Sequence, residues 1–231
     1  MARRAHRRGS VRPLLLALAV LALAAGAWYW RSRHPMLPTG AAPAVAPVAA
    51  NADRVDPRNE GRTVSVSGTL QVVRPARDTD LGVAVDAVLL AREVRMLQWQ
   101  EHCAGNECSY ALAWSDHPVD SHAFRDTQAH RNGTPFPFSS QRFSAGELRL
   151  GAYTVDPTLA AAGVALERHA VTVARLPPNL AATFRDCDGA LCSGDPAKPA
   201  AGDLRVEYRI AAAGRRTLDG IQHGDRLQAM H

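Results

Sequence analysis

The longest apolar stretch of the chain covers residues 14–30, which read LLLALAVLALAAGAWYW and contain no charged side chain. As an α-helix this stretch would extend about 26 Å, which approaches the thickness of the hydrocarbon core of a bilayer. It ends in Trp28, Tyr29 and Trp30, whose amphipathic rings suit the headgroup level of a membrane. This pattern predicts one transmembrane helix near the N-terminus.

Arginines precede this stretch at positions 3, 4, 7, 8 and 12. Positive charge beside a span stays preferentially on the cytoplasmic side, so residues 31–231 are predicted to lie outside the cytoplasm. Because Ala25-Gly26-Ala27 also fits a signal-peptidase site, a cleaved signal peptide is the alternative to a retained anchor. Lys198 is the only lysine among 27 basic residues, a bias typical of GC-rich bacterial genomes. The predicted location is therefore the bacterial inner membrane, with the exported part in the periplasm.

In five stretches between residues 62 and 210, apolar residues occur at every second position, as they do in half-buried strands. The alternations begin at Arg62, Leu81, Tyr110, Leu148 and Leu204. The long mixed stretch from Val88 to Glu101 fits either a strand pair or one bent strand. Asp156 and Pro157 supply the N-cap and first residue of a short helix that runs to about Ala162 or beyond. The predicted fold is mainly β, a β-rich α+β domain with a short helix.

Composition divides the chain into five predicted parts. They are a basic cytoplasmic flank (1–13), the transmembrane helix (14–30), a Pro/Ala-rich linker (31–55), a periplasmic β-rich domain (56–213) and a polar C-terminal tail (214–231). Four prolines in the linker favour extended, polyproline-like conformations. The linker is therefore expected to hold the folded domain away from the bilayer.

The formal net charge of +5 arises from the N-terminal arginines. Residues 1–34 contain seven arginines and no acidic side chain, and removing these seven charges leaves −2 on the rest of the chain. A slightly acidic domain lacks the basic stripe that a phosphate backbone requires, so nucleic acid is not an expected partner. The expected partners are the membrane and other envelope or membrane proteins, and the oligomeric state stays open.

Four cysteines form two pairs of equal spacing, Cys103 with Cys108 in CAGNEC and Cys187 with Cys192 in CDGALC. In an oxidising compartment these matched short spacings predict two disulfides, each closing a turn. In a reducing compartment a zinc site is the alternative, although zinc knuckles more often have two intervening residues. The predicted export of the domain favours the disulfides. The alternation that resumes at Tyr110 places CAGNEC at the tip of a hairpin.

Several short segments are informative when they are read in order along the chain, among them VSVSG at 64–68, AREVRMLQWQE at 91–101 and the segment from Tyr110 to Trp114. Their most distinctive positions are Asn59, Glu60, Gly61, Gln98, Trp99, Glu101, Trp114, Asp120, Ser121, Gly202, Asp203 and Leu204. In order and spacing these segments, from about residue 59 to residue 226, resemble the transmembrane protein 43 family, also called LUMA. The resemblance implies an N-terminal span, a large lumenal or periplasmic domain, and a role in membrane organisation rather than an established catalytic activity.

The C-terminal residues depart from that family, which typically ends in further hydrophobic spans. Residues 215–231 are polar instead. We therefore expect either a single-span branch of the family or a truncated reading frame, and the Pro/Ala-rich linker favours the single-span branch.

The densest polar cluster, residues 114–122, contains two histidines, two carboxylates and two hydroxyls. A periplasmic hydrolase is one interpretation, and its candidate residues are Asp116, His117, Asp120, Ser121 and His122. However, neighbouring residues of an extended chain point to opposite faces, and the sequence contains neither a G-x-S-x-G elbow nor an H-E-x-x-H helix. A solvated loop after a strand is the preferred interpretation of this cluster.

The leading hypothesis is a non-enzymatic scaffold or interaction domain in membrane or envelope organisation, with no catalytic residue, metal or cofactor. Glu101 and His102 beside Cys103 are interpreted as an exposed hairpin end rather than as a metal or redox site. A lipid- or glycan-binding module is a further alternative, suggested by the tryptophans and the membrane tether.

Overall fold

The computed structural model describes residues 46–133 and 135–230. The predicted basic flank, the transmembrane helix and residues 31–45 of the linker lie outside the described residues. Within the described part of the chain, no helix combines the length and the apolar character needed to cross a membrane.

Strands dominate the described residues, which confirms the prediction of a mainly β domain. The strands are β1 (Val48–Ala50), β2 (Thr63–Asp78), β3 (Val83–Val85), β4 (Ala87–Ala104), β5 (Glu107–Ser115), β6 (Gln141–Leu150), β7 (Tyr153–Val155), β8 (Glu167–His169), β9 (Phe184–Cys187), β10 (Ala190–Ser193), β11 (Leu204–Ala212), β12 (Gly214–His223) and β13 (Arg226–Gln228). The short helices are α1 (Pro157–Ala161) and α2 (Pro178–Ala181), and single 3₁₀ turns occupy Pro57–Asn59, Ser121–Ala123 and Val173–Arg175.

Five strands close into a ring. β2 pairs with β12, β12 with β13, β13 with β7, β7 with β6, and β6 returns to β2. From β6 the sheet continues outward through β4, β11, β10 and β9. Among the remaining strands, β1 and β3 pair with β2, β5 pairs with β4, and β8 pairs with β11. The domain is thus a closed ring with an extended sheet attached at β6.

The interior of the ring is one hydrophobic core. The alternation of β2 buries Val64, Val66 and Leu70 completely or almost completely, and Leu148 and Leu150 of β6 meet them there. Because each strand of the ring contributes its inward-facing positions, the period-two pattern of the sequence is satisfied by a single interior.

A second core lies on one face of the extended sheet. Val94 and Met96 of β4 pack there with Val206 of β11 and Leu191 of β10. Successive residues of a strand point to opposite faces, so Glu93 and Arg95 lie on the other, outward face of the same strand.

Helix α1 begins as the sequence predicts. The Asp156 carboxylate accepts a hydrogen bond from the backbone N–H of Thr158 at 2.7 Å, and Pro157 occupies the first helical position. A side-chain acceptor and a proline at these positions satisfy the unpaired N–H groups of the first turn and preset its φ. The predicted N-cap and start of the helix are confirmed.

A charged cluster lies inside the second core. Arg92 and Asp78 are fully buried, and Nη1 of Arg92 lies 2.7 Å from both carboxylate oxygens of Asp78. The hydroxyl of buried Tyr208 donates to Oδ2 of Asp78 at 2.7 Å, and burial together with this bond raises the pKa of Tyr208. A buried ion pair is tolerated only when its remaining polar atoms are also bonded, as they are in this cluster.

The folded domain extends beyond both predicted boundaries. Residues 48–50, assigned to the linker, form β1 and pair in parallel with β2. Residues 214–228, assigned to the polar tail, form β12 and β13, which complete the ring. The boundaries at 56 and 213 are therefore too narrow, because β12 buries Leu218, Gly220 and Gln222, an inward-facing set with too few apolar side chains to be recognised in the sequence. Residues 88–101 form part of one long strand and not a strand pair.

Candidate functional site

The chain between β5 and β6 begins with residues 116–133, which we call the clamped loop. Buried Gln98 of β4 holds its start, because its Nε2 donates to the backbone O of His117 and its Oε1 accepts from the backbone N of Val119, both at 3.0 Å. The hydroxyl of Ser115 also donates to the O of His117, at 2.7 Å. A buried amide with both groups satisfied fixes the backbone that it contacts.

Asn132 holds the end of the clamped loop. Its Oδ1 accepts from the backbone N of Trp99 at 2.8 Å, and its Nδ2 donates to the backbone O of Trp99 at 3.0 Å. Along the same edge of β4, the backbone groups of Gly202 and Asp203 bind Leu97. The Asn132 amide thus extends the row of hydrogen bonds on this edge by one more residue. Its own backbone N donates to the hydroxyl of Ser121 at 2.9 Å.

The middle of the loop rests on aromatic side chains of the β4–β5 hairpin. The His130 ring stacks on Tyr110 with a centroid distance of 3.8 Å and meets the edge of Trp99 at 4.7 Å. The Asp126 carboxylate lies 3.3 Å from Nδ1 of His130, but this buried nitrogen has no well-aligned hydrogen bond. Ring stacking therefore positions His130 more than the contact with Asp126 does.

Glu101 connects the loop to the hairpin. Its Oε1 accepts from the hydroxyl of Tyr110 and from the backbone N of Arg125, both at 2.7 Å. The Tyr110 and Arg125 hydrogen bonds lower the pKa of Glu101, because they favour its ionised form. The Arg125 guanidinium in turn donates to the backbone O of Asn106 at 2.7 Å, so the loop also contacts the hairpin tip.

Both predicted disulfides are present, and CAGNEC forms the predicted hairpin tip. Cys103 and Cys108 lie directly opposite each other with a Cα–Cα distance of 4.1 Å. Glu101 is close enough to these sulfurs to suggest a three-ligand metal site. However, the sulfurs are bonded to each other and neither is a thiolate, so the predicted disulfides replace the zinc alternative.

The candidate hydrolase residues do not assemble into a catalytic set among the described residues. Ser121 is buried and its hydroxyl accepts from Asn132, while the Asp120 carboxylate caps the 3₁₀ turn by accepting from the backbone N of His122. Asp116 and His117 form a separate, exposed pair. A nucleophilic serine needs a base within hydrogen-bond reach, and within the described chain the hydroxyl of Ser121 bonds to the backbone N of Asn132 and not to a histidine ring. The preferred interpretation, a loop after a strand, agrees with this geometry.

Beside the loop, the outer edge of β5 is unpaired within the described chain. Trp99 directs its N–H away from β5 and toward Asn132, so Trp99 and the opposite residue Leu112 form a non-hydrogen-bonded pair of the antiparallel ladder. In such a pair both residues point their backbone groups away from each other, and those of Leu112 therefore face outward. Leu112 is 37 % exposed and Trp114 is 38 % exposed, and both lie on the same face as Trp99. We call Leu112, Trp114 and the open edge of β5 the hairpin edge.

A sequence model of the family described as Transmembrane protein 43 matches residues 96–230, more than half of the chain. The chain belongs to the transmembrane protein 43 family. This confirms the family resemblance of the sequence, and the match includes the clamped loop and the hairpin edge.

Curated relatives carry the same family name. The chain is 32 % identical over 108 residues to the transmembrane protein 43 homolog of Drosophila melanogaster. The aligned region covers 41 % of this chain and 29 % of that protein. It is 27 % identical over 173 residues to transmembrane protein 43 of Mus musculus and 26 % identical to that of Homo sapiens, covering 68 % of this chain and 42 % of each relative. The chain thus spans less than half the length of the curated relatives that it matches. No solved structure matches it.

The positions that carry the family resemblance fall into two groups. Gln98, Trp99, Glu101, Asp120 and Ser121 hold or form the clamped loop, and Trp114 lies at the hairpin edge. Gly202, Asp203 and Leu204 continue the same edge of β4.

The second group lies at the turn between β12 and β13. Glu60 accepts from the backbone N of Gly224 at 2.8 Å and contacts Nδ1 of His223 at 3.2 Å. Gly61 has a positive φ of 70°, and its N–H donates to the backbone O of Gln222. Asn59 is buried in the preceding 3₁₀ turn. This segment therefore supports the ring rather than the loop.

Sequence reasoning missed three residues of the site. Asn132 and His130 were not identified, because their partners on β4 lie about 30 residues earlier in the sequence. Arg125 was missed for the same reason. The adjacent glycine at 133 marks Asn132 as a turn residue, which is the weak signal that the sequence offers.

Proposed function

We propose that this transmembrane protein 43 family member is a membrane-anchored, non-enzymatic interaction module in the bacterial envelope. It binds other membrane or envelope proteins through the clamped loop and the hairpin edge. The observation that carries this proposal is that six resemblance-carrying positions belong to the clamped loop, its attachments or the hairpin edge. Five of them use their polar groups to hold the loop in place, and the sixth, Trp114, is an exposed aromatic beside it.

The hairpin edge supplies the chemistry for such binding. An unpaired edge can accept an extended segment of another chain through backbone hydrogen bonds, and neighbouring side chains then give specificity. Trp114 is a suitable anchor because tryptophan is enriched among residues that dominate binding energy. Between Glu107 and Asp116 the strand has no charged residue, so a partner strand would meet no like-charge repulsion.

Site-specific photo-crosslinking in cells tests the binding surface. A photoreactive amino acid at Leu112 in the full chain is expected to give discrete protein adducts. A matched position, Thr217, is exposed on β12 in the ring and is expected to give none of these adducts. Identical adducts at both positions, or none at Leu112, would contradict the proposal.

A separate measurement tests the anchor and the orientation. An alkaline phosphatase fused after residue 231 is expected to be active in the native envelope and to sediment with membranes. Activity in a soluble fraction would indicate cleavage of the apolar segment, and a cytoplasmic C-terminus would overturn the proposed topology.

A further inference from the structure

One face of the extended sheet carries arginines in two cross-strand rows. In the first row the successive opposite residues are Arg168 of β8, Arg209 of β11, Ala91 of β4 and Arg142 of β6. In the second row they are Arg185 of β9, Cys192 of β10, Arg205 of β11 and Arg95 of β4. Directly opposite residues share a face, and so do residues two apart along a strand, so both rows lie on the outward face. We call these six arginines the arginine face.

Two glutamates separate the rows but do not balance them. Glu207 and Glu93 lie opposite each other between the rows. Glu207 pairs with Arg95 and with Arg205, each at 2.9 Å, and Glu93 pairs with Arg209 at 3.2 Å. Arg168 reaches Asp188 in the β9–β10 turn. The charges of this face therefore remain positive in sum.

Arg142 and Arg185 are the clearest source of the excess positive charge on the arginine face. Both are exposed, and neither forms an ion pair with a residue of the described chain. Like charges placed directly across a sheet destabilise it, and in these rows Arg168 lies opposite Arg209 while Arg205 lies opposite Arg95, so the rows carry an energetic cost. An anion bound across the rows would offset that cost.

The pair of β2 and β12 in the ring presents a different outward surface. On β2 the outward-facing residues are Ser65, Ser67 and Thr69, which lie opposite Asp219, Thr217 and Arg215 of β12. The arginine rows of the extended sheet therefore do not continue across β2 and β12. The net charge of −2 predicted for the exported part does not reveal that arginines are concentrated on one face.

We infer that the arginine face binds the phosphate groups of an anionic phospholipid surface. A guanidinium donates several hydrogen bonds in a fixed plane that matches phosphate oxygens, and clusters of basic residues bind anionic bilayers. The rows lie in a sheet rather than in a groove, which suits a planar array of headgroups better than a single peptide or duplex. The inference builds on the proposed membrane anchor in one respect, because a tether raises the local concentration of the face at the bilayer.

Vesicle flotation tests the inference with the full chain. The protein is placed in nanodiscs of neutral phosphatidylcholine and mixed with separate vesicles of either pure phosphatidylcholine or phosphatidylcholine with about 30 mol % phosphatidylglycerol. We expect flotation with the anionic vesicles only, reduced at least about tenfold in high salt, since exposed charges are screened.

Matched variants locate the binding face. The fraction of R142E/R185E that floats with anionic vesicles is expected to be at least about tenfold below that of the wild type, because each basic residue near an anionic surface adds to binding. The fraction of R142Q/R185Q is expected to lie between these two values. The control R62E/R215E changes the net charge equally at exposed positions outside the rows and is expected to float like the wild type. Circular dichroism establishes that each variant is folded, and the glutamine pair provides the test if the glutamate pair is not.

Three outcomes would overturn the inference. They are equal flotation with neutral vesicles, wild-type flotation of both arginine variants, and equal competition by duplex DNA at matched phosphate concentration, which would indicate a general polyanion surface. Crosslinks from Leu112 in R142E/R185E separate this inference from the proposed function. If the crosslinks are retained while flotation is lost, protein binding is intact and the arginines act on lipid binding. If the crosslinks are lost while flotation stays normal, only the proposed function is affected.

Discussion

Asn132 binds both backbone groups of Trp99 through its side-chain amide and so acts as one additional residue of a strand beside β4. Backbone pairing normally requires another backbone, with φ and ψ fixed over several residues. A single side-chain amide achieves the same pairing because its carbonyl oxygen accepts and the N–H beside that oxygen donates on the same side of the group. The clamped loop is therefore attached to the sheet by a side chain that the sequence pattern does not reveal.

Asn132→Ala is expected to destabilise the domain by about 1–3 kcal/mol, the cost of leaving a partly buried donor and acceptor unsatisfied. Hydrogen exchange should accelerate at the Trp99 amide and across residues 117–131. Asn132→Asp should be at least as damaging, because a carboxylate cannot donate to the backbone O of Trp99. Gln128→Ala, at an exposed position of the same loop, is the control. Unchanged exchange at Trp99 in Asn132→Ala would contradict the assigned role.

Asp78→Ala is expected to cost about 3–5 kcal/mol, because it leaves the Arg92 charge buried without its main partner. Tyr208→Phe removes one hydrogen bond to a charged group and should cost about 1.5–3 kcal/mol. Both values are obtained from chemical denaturation of the purified protein. Asp80, which contacts Arg92 but is 51 % exposed, supplies the control, and its alanine variant should cost no more than about 1 kcal/mol. Equal losses for Asp78→Ala and Asp80→Ala would contradict the assignment of Asp78 as the principal partner.

How far the sequence predicts this fold depends on where the partners of each residue lie. Alternation identifies β2 and β11 because their inward positions are valine, leucine and tyrosine. It does not identify β12, whose inward positions include Gly220 and Gln222. The glutamine is buried because its Nε2 donates to the backbone O of Asp56 at 2.8 Å, a contact over 166 residues. A polar residue with such a distant partner has no local signal.

The candidate site shows the same limit. The disulfides and the hairpin tip follow from local spacing and were predicted correctly. The polar cluster at 114–122 suggested catalysis as one alternative, but Asp120 and Ser121 use their oxygens to bind backbone N–H groups. Ser, Asp and Asn commonly stabilise turns in this way, so their density in a sequence indicates a structured loop as readily as a reactive centre.

The pH dependence of stability should report the Glu101 contacts. Folding lowers the pKa of Glu101 below its ordinary value of 4.5, chiefly through the hydrogen bond from Tyr110. The folded protein thus binds this proton less tightly than the unfolded chain, and the stabilisation is complete above pH 4.5 and lost as the pH falls through the lower folded value. Denaturation midpoints of Glu101→Gln and wild type should therefore differ at neutral pH and converge in acid. A difference that stays constant with pH for Glu101→Gln would contradict the prediction.

The two disulfides close loops of equal length and provide a matched pair. On the chain-entropy account each contributes about 2 kcal/mol, so C103A/C108A and C187A/C192A should lower the unfolding free energy similarly. Only C103A/C108A is expected to accelerate exchange in the clamped loop, because Arg125 binds the backbone O of Gly105 and Asn106 within that hairpin tip. Hydrogen exchange of both variants distinguishes the local effect from the global one. Equal loop exchange in the two variants would show that the tip does not support the loop.

Alanine substitutions at Gly151 and Gly224 distinguish the cost of backbone strain from the cost of a steric clash. Both have positive φ, 60° and 58°, a region that costs an alanine about 1–2 kcal/mol. A Cβ on Gly224 would meet nothing within 4 Å, whereas a Cβ on Gly151 would overlap the backbone O of Ala52, which itself accepts from Ala152. Gly151→Ala must therefore displace the segment that leads from β1, and we expect it to be clearly more destabilising than Gly224→Ala. It should also increase proteolysis between residues 46 and 56, because β1 loses its attachment beside β2 when Ala52 moves. Equal destabilisation and unchanged proteolysis in Gly151→Ala would show that the Ala52 contact does not hold this segment on the ring.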